Sequence, residues 1–565
     1  MILYKNQDEH NMRAITYIIL CVTCCLSQLC KAFAPTSLLL SRRHKSSNAH
    51  ALSAFSKSLP QSSTTYDLIV IGGGSAGITA AKFAANFGKS VCLVESSRIG
   101  GDCTWTGCIP SKTLLAAAKR AWVWQQMNEK YGASIDDISL RKMLRGVKND
   151  IDESRNRIYE QDDSPAVLKS LGIDLAEGKA IFRDPQTIDV TNEAHDKSYQ
   201  LRAKYGIVIA TGASPNDPKN IAGLGDSVPH WTYENVWDEF FHCIEQNERQ
   251  KVREKKIVVV GGGPIGCELS QAISRLGCSV TIVSSADRLL PTEEVVASQE
   301  LQQVFEKEGI EVICNHRVTS VVASNNGDAE SIQVLLDNSN EPILGDHILF
   351  ATGRIPNIRN LGLDEIGVQI NSETKGIQVD VNLQTSVKGV YAAGDCTGDR
   401  QFTHYAGYQG AIAARNSLLP LKDAGVLSEV PSTIFTDPEV ASFGLTEQAA
   451  RDQYGDGEVS VSFRPLSKVD RAVCEGTEAY GFLKIIYQTR TKQILGSTIM
   501  SPAAGELISE LSVAKDAKLS FDRLSTVMHS YPSYSIALQQ MAADVYYDKL
   551  KKSKLLYDIL KKVGL

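Results

Sequence analysis

Several things are scarce in this 565-residue chain, and each scarcity excludes something. Positive charge is not in excess: 59 Lys and Arg stand against 65 Asp and Glu, a formal charge of −6, which argues against a nucleic-acid binder. The body of the chain holds no apolar run long enough to cross a bilayer, so no transmembrane segment is expected in the mature chain. Cysteines are irregularly spaced, which speaks against an extracellular disulfide scaffold. A metal site would need further ligands at close spacing to Cys103 and Cys108, and none is near, so no metal site is expected. Acid is missing altogether from 33 to 66, where Arg42, Arg43, Lys45 and Lys57 sit among serines. That composition cannot bury a core.

The segment before it has a different character. Lys5 and Arg13 precede the apolar stretch Ala14 to Leu26, too short for a span and right for a signal-peptide core. Small residues at Cys30 and Ala32 place cleavage before Phe33. Residues 1–32 are therefore expected to be a signal peptide and 33–64 a transit-like disordered segment. A signal followed by Ala32-Phe33-Ala34-Pro35 resembles the bipartite presequence of algae with complex plastids, which implies a plastid; the secretory pathway is the alternative.

The remainder has room for roughly three or four domains. Asp67-Leu-Ile-Val-Ile71 predicts a buried strand, an Ala-rich helix follows from about Ala76 to Phe87, and Ser90 to Val94 predicts a second strand ending at Glu95. Gly72, Gly74 and Gly77 fill the turn as G-x-G-x-x-G: one glycine for the tight turn, one for close approach of a pyrophosphate, one for helix–strand packing. Glu95, 18 residues after Gly77, stands where a carboxylate would bind an adenosine ribose. The grammar returns at Lys256 to Val260, with Gly261, Gly263 and Gly266 in the turn and a strand at Ser279 to Val283. That strand ends at Ser284-Ser285 rather than at an acid, and Arg288 is near; hydroxyls and a cation favour NADPH over NADH. Ala210-Thr211-Gly212-Ala-Ser-Pro-Asn216 is echoed by Ala351-Thr-Gly353-Arg-Ile-Pro-Asn357, each after an apolar strand, so Thr211, Gly212 and Gly353 join the cofactor-binding candidates of a duplicated plan. A helix is predicted over Tyr233 to Arg253. After Leu421 strands (Val459 to Phe463, Gly481 to Tyr487) mix with helices (Ala503 to Ala514, Phe521 to Val527).

Just after the first module comes Gly100-Gly-Asp-Cys103-Thr-Trp-Thr-Gly-Cys108-Ile-Pro-Ser-Lys112. The two cysteines can come within disulfide reach if a helix begins irregularly. Cys108 near a helix N-terminus would have a lowered thiol pKa, with Lys112 one turn along the same face. A structural disulfide, a metal site and two unrelated free thiols are the competing readings.

This combination resembles the class I FAD-dependent pyridine nucleotide–disulfide oxidoreductases, the group of glutathione reductase, dihydrolipoamide dehydrogenase and mercuric reductase, over about Tyr66 to Tyr546. Ile109-Pro-Ser-Lys112 is closer to the lipoamide and mercuric branches. The resemblance implies an α/β fold of two Rossmann-like domains plus a C-terminal α+β dimerisation domain: FAD-binding residues 65–216 and 346–425, a linker 217–254, an NAD(P)-binding domain 255–345, and an interface domain 426–565 with a basic tail. It implies FAD and NADPH (or NADH) as cofactors, a homodimer, and a redox-active Cys103–Cys108 disulfide beside the flavin, with Cys108 facing the flavin and Cys103 exchanging with substrate. Thr385 to Asp395 resembles the second FAD motif, with Gly394 and Asp395 at the ribitol chain, and Glu268 takes the place of the carboxylate that pairs with Lys112.

The resemblance breaks near the C-terminus. Tyr531 stands at the family's catalytic His position and Ile536 at the Glu position, in Met528-His529-Ser-Tyr531-Pro532-Ser-Tyr-Ser-Ile536. His529, two residues early, is a candidate base with a packing role as its alternative, and Tyr531 is a candidate proton donor. The expected function is electron transfer between NAD(P)H and a small disulfide, dithiol or metal ion. The alternatives are a plastid dihydrolipoamide dehydrogenase and a flavin-bearing redox-sensing scaffold with little turnover. The lysine- and leucine-bearing tail from Asp548 reads as a membrane-surface helix or as a solvated helix packed on the dimer.

Overall fold

The computed structural model describes residues 64–562 except 133–135, 193–196, 219–220, 226–227, 247–249 and 325–330. The signal segment and residues 33–63 of the transit-like segment lie outside the described residues, and Thr64, its last residue, opens the first strand. Among those described, no helix is long and apolar enough to cross a membrane.

The first sheet is built where the apolar, β-branched runs predict it. Ile173–Glu177, Val91–Glu95, Thr64–Ile71 and Lys197–Ile209 lie side by side and parallel, and Val390–Ala392 adds to the last of them. Thr187–Asn192 and Lys179–Asp184 extend the sheet antiparallel. Leu68, Ile69 and Val70 are fully buried, as expected of a strand covered on both faces. The helix Ser75–Asn86 packs on one face together with Thr403–Leu418; Gly410 lies so close that a Cβ there would meet Ala76 O at 2.0 Å. Val390–Ala392 returns to this sheet after the whole second module, so the first domain is made of two separated stretches of chain.

The second module repeats the plan on a smaller scale. Glu311–Ile313, Ser279–Val283, Lys256–Val260 and His347–Phe350 form a four-stranded parallel sheet, joined to an antiparallel three-stranded sheet over Val318–Ser324, Ser331–Leu336 and Ile343–Gly345. The two echoed motifs pair with each other. Ala213–Pro215 and Arg354–Pro356 form an antiparallel ribbon, Asn357 Nδ2 donates to Thr211 O, and Asn216 Nδ2 donates to Thr352 O. Duplication at the level of sequence has become a pseudo-twofold clasp.

The C-terminal region is an antiparallel five-stranded sheet, ordered Ser432–Ile434, Glu439–Gly444, Ile494–Ser501, Phe482–Gln488, Val459–Pro465, with helices Ala504–Asp516 and Ile536–Lys562.

Two expectations need correction. The helix placed over Tyr233 to Arg253 is shorter, Val236–Gln246, with a separate 3₁₀ turn at Val252–Glu254. The apolar spacing that suggested it belongs to Val236, Trp237, Phe240, Phe241 and Ile244, all buried, and Val252 joins the same core from the separate 3₁₀ turn. Phe521 to Val527 is a 3₁₀ helix, Phe521–Thr526, with only Phe521, Asp522 and Leu524 buried.

Candidate active site

A cleft of about 440 Å³ opens at the C-terminal ends of the first parallel sheet, where ligands of doubly wound sheets bind. Gly72, Gly74, Glu95, Thr211, Gly212, Gly394 and Asp395 line it, and so do Cys103 and Thr403. Gly77 lies beneath: its side chain could not exist, since a Cβ would sit 1.8 Å from Gly72 O. Gly74 caps the helix Ser75–Asn86 without a side-chain hydrogen bond, which leaves the first-turn N–H groups to a ligand. Glu95 Oε2 accepts from Gly73 N at 2.6 Å, and burial raises the pKa of its carboxyl, partly offset by the Gly73 and Ser97 amides. These residues fit the diphosphate and ribose of FAD.

Across the cleft, Arg354 is clamped between two acids. Its Nη1 donates to Asp395 Oδ2 at 2.6 Å, its Nη2 pairs with Asp102, and its Nε donates to Tyr233 Oη at 3.1 Å. Arg354 is a residue that motif reading passed over, although the one charged difference between the echoes, Arg354 opposite Ala213, was its signal.

The cysteine loop is packed onto the nucleotide turn. Gly101, at φ 59°, approaches so closely that a Cβ would be 2.8 Å from Gly74 Cα. A short helix, Gly101–Trp105, breaks at Thr106 and Gly107, both of whose N–H groups return to Asp102 O. The chain then restarts as the helix Cys108–Lys130. The break brings Cys103 and Cys108, five apart in sequence, close enough for each thiol to act on the ionisation of the other. Trp237, from the stretch expected to be a linker, donates from Nε1 to Thr106 O at 2.9 Å and so pins this break.

Electrostatics separate the two thiols. Cys108 is drawn down to about 6, first by the hydrogen bond from Cys103 and further by Thr403 and the Lys112 charge, against burial. Cys103 is pushed up, first by its bond to Cys108 and then by burial. Lys112 Nζ donates to Glu268 Oε2 at 2.8 Å, and Glu268 Oε1 accepts from Phe435 N at 2.8 Å. The carboxylate therefore ties the redox helix to the second module and to the C-terminal domain.

In the second module Gly261 and Gly266 repeat the tight packing: a Cβ on Gly266 would meet Gly261 O at 1.9 Å. Gly263 caps the helix Pro264–Arg275, again without a side-chain bond and with open space in front of it. These residues fit the diphosphate of a nicotinamide dinucleotide. Ser284 is buried beside Gly262 and accepts from Ala286 N. Arg288 is folded back, Nη2 on Pro291 O at 2.6 Å and Nη1 near Asp287, and its buried Nε has no partner among the described residues. Gly353, at φ 100°, accepts from Asn216 N in the clasp and is not part of the first cleft's wall.

The two C-terminal candidates lie elsewhere. His529 has both ring nitrogens occupied, Nε2 by Glu510 Oε1 at 2.7 Å and Nδ1 by Val527 O at 2.8 Å, and its side chain is 6% exposed. An imidazole held in this way packs the domain and offers no free nitrogen to a substrate. Tyr531 is 67% exposed, its hydroxyl on Asp470 Oδ2 at 3.0 Å, and that bond raises the phenol above its ordinary range. Neither of these sets of partners includes a residue of the cysteine pair.

The family model for pyridine nucleotide-disulphide oxidoreductase matches residues 66–410, and the model for the dimerisation domain of that family matches 430–542. The chain belongs to the pyridine nucleotide-disulphide oxidoreductase family. It is 32% identical to the dihydrolipoyl dehydrogenase of Thermus scotoductus over 85% of this chain and 97% of that one. It is also 32% identical to the mercuric reductase of Lysinibacillus sphaericus, over 84% and 82%. Among solved structures it is similar to the Cu(II) complex of the HOCl-induced flavoprotein disulfide reductase RclA from Escherichia coli (TM-score 0.71, 25% identity, 85% of this chain and 99% of that). LpdA from Mycobacterium tuberculosis is similar too (TM-score 0.72, 28% identity, 85% and 99%). The protein is an NAD(P)H-dependent flavoprotein disulfide oxidoreductase with FAD as its cofactor.

Proposed function

We propose that this protein is a homodimeric, NADPH-preferring reductase of a small disulfide or a metal ion, working in a plastid. The observation that carries the reading is the neighbouring Cys103 and Cys108 thiols, with Cys103 on the wall of the nucleotide cleft, one thiol acidified and the other not. FAD bound in that cleft supplies a two-electron relay between a reduced nicotinamide and a disulfide. Cys103 attacks one sulfur of the substrate disulfide and releases the first thiol. The Cys108 thiolate then attacks Cys103, releases the second thiol and closes the Cys103–Cys108 disulfide. One NAD(P)H and one proton reopen it, so that one disulfide yields two thiols. Lys112, oriented by Glu268, keeps a positive charge beside the Cys108 thiolate.

Reduction rather than dithiol oxidation is favoured by the C-terminal residues. Oxidising a dithiol needs a base that is free near neutral pH, whereas Tyr531 is a phenol held protonated by Asp470 and His529 is fully engaged. The preference for NADPH rests on Ser284 in place of an acid, with Arg288 close by. A metal-ion substrate is in keeping with relatives named mercuric reductase and with the Cu(II) complex of RclA. The plastid reading rests on residues 1–64 of the sequence. The dimer is supported by the dimerisation-domain match.

The test is steady-state turnover of purified, flavin-loaded protein with NADPH and NADH against glutathione disulfide, lipoamide, Hg²⁺ and Cu²⁺, with dihydrolipoamide and NAD⁺ as the reverse arm. Faster turnover with NADPH and a disulfide or metal ion is expected. Dominant NADH production from dihydrolipoamide would replace the proposal with the dihydrolipoyl dehydrogenase reading, and no turnover in any arm would leave only a flavin-bearing scaffold.

A further inference from the structure

The C-terminal helix Ile536–Lys562 has two unlike halves. Ala537, Leu538, Met541 and Ala542 are buried in the core of the C-terminal domain, and Val545 packs against it. The same face continues to Lys549, whose Nζ donates to Asp522 Oδ2 at 3.2 Å. From Tyr546 to Lys562 every described residue is exposed. The match to the family's dimerisation domain has ended by then, at 542. This half is nevertheless not polar all round. Tyr546, Leu550, Tyr557 and Leu560 recur at steps that keep them on one side of the helix, and they are 38–64% exposed. Ser553 falls between Leu550 and Tyr557 and donates its hydroxyl to Lys549 O at 3.0 Å. The stripe lies about a quarter-turn from the face that Leu538 and Val545 put into the core.

Lysines border the stripe. Lys554 follows Leu550 by four residues and Lys561 follows Tyr557 by four, so each ammonium stands beside an apolar neighbour. Neither pairs with a carboxylate among the described residues. Between Tyr546 and Lys562 six lysines face two aspartates, in a chain whose formal charge is −6. We propose that this half of the helix lies on an anionic lipid surface, with the stripe from Tyr546 to Leu560 at the boundary of headgroups and acyl chains and the flanking lysines on the headgroup phosphates. The helix is not apolar enough to cross a membrane, and a basic amphipathic helix rests in the plane of the surface. The lysine stems cover apolar ground while their ammonium groups reach the phosphates. Steps of four and three also suit a seam with a second copy of the helix. In that seam Lys554 and Lys561 of both copies would stand together and repel, whereas a negative lipid surface takes them all. The proposal is independent of the redox reading: it concerns where the enzyme works, not what its cleft does.

The experiment is co-sedimentation of purified, flavin-loaded protein with vesicles of phosphatidylcholine alone and of phosphatidylcholine with phosphatidylglycerol, at low and at high salt. The protein used begins at Lys57, so that it keeps the whole compact unit and lacks the leader, whose own apolar run would bind lipid. Binding to the phosphatidylglycerol vesicles is expected, with little to phosphatidylcholine alone, and it should weaken as salt rises. Lys554→Gln with Lys561→Gln should lower the partition coefficient about thirtyfold, about fivefold for each charge. Leu550→Ser with Leu560→Ser should lower it by at least about tenfold with every charge kept. Both double variants should keep the flavin absorbance, the dimer on a sizing column and the turnover of the unmutated protein, since none of these residues lines the cleft. If the unmutated protein ignores phosphatidylglycerol or binds both kinds of vesicle alike, the proposal is overturned. It is overturned as well if either double variant binds like the unmutated protein, or if the Ser variant loses the dimer, which would assign the stripe to a second copy.

Discussion

Lys112 and Glu268 form one ion pair but should move the Cys108 thiol in opposite directions. The cation stabilises the thiolate and the carboxylate opposes it. Lys112 sits four residues after Cys108 on one helix, a spacing that brings side chains to roughly 5–6 Å. At about 6 Å two unit charges interact with about 0.7 kcal/mol in water and about 2.8 kcal/mol at an effective dielectric of about 20. The Lys112 side chain is 36% exposed, so the lower part of that range applies. Lys112→Met should then raise Cys108 by about 0.5–1 pH unit. The ionised share of Cys108 near neutral pH falls with that shift. Glu268→Gln should lower Cys108 instead, by less, because the carboxylate is the weakest of the influences on it. The assay is thiolate absorbance in the ultraviolet of reduced, flavin-free protein between pH 4 and pH 9, with Cys108→Ser as the blank. Shifts of the same sign in both variants, or none in either, would refute the reasoning. The ion pair would then be a strut between domains and nothing more.

Gly77→Val should give colourless protein that takes up no FAD, because its side chain must occupy the space of Gly72 O; absorbance near 450 nm decides. Arg354→Ala should leave Asp102 and Asp395 without their cation and cost about 2–3 kcal/mol in urea unfolding of flavin-free protein, less than the ~3–5 kcal/mol of a fully buried pair because Asp102 is one-third exposed. The Cys108 thiol is lower in the fold than in the unfolded chain, so its contribution to the stability of the reduced protein is complete above the ordinary thiol range and disappears as pH falls through about 6; unfolding of unmutated and Cys108→Ser protein at pH 5 and pH 9 should show the difference growing with pH. Ser284→Glu should lower kcat/KM for NADPH at least tenfold relative to NADH, since a carboxylate there repels a 2′-phosphate.

Both nucleotide modules were legible because their signals are local. A strand, a glycine turn and a helix follow within a few residues, and period and turn chemistry are properties of short segments. The Cys103–Cys108 spacing was legible for the same reason, and so were the Ser279–Val283 and His347–Phe350 strands, bounded as the structure has them. The supports of the site were not legible. Trp237 read as part of a linker, because only the folded chain brings its indole to the Thr106 carbonyl. Arg354 read as a motif position, because its two acids come from residues 102 and 395. His529 was open between a base and a packing role, because residue type says nothing of the Glu510 and Val527 oxygens that its ring meets.

By itself, then, the sequence determined the repeating strand–glycine–helix units, the placing of two sulfurs at an irregular helix start, and the departure from the family's His–Glu pair, all of which depend on neighbours along the chain. Tertiary structure decided which distant groups act on the Cys108 thiol, which arginine is clamped across the cleft, and which oxygens meet the His529 ring. The physical reason is that hydrogen bonds, burial and charge pairing act through space. Glu268 comes from the second module, and Thr403 and Asp395 come from chain that follows it.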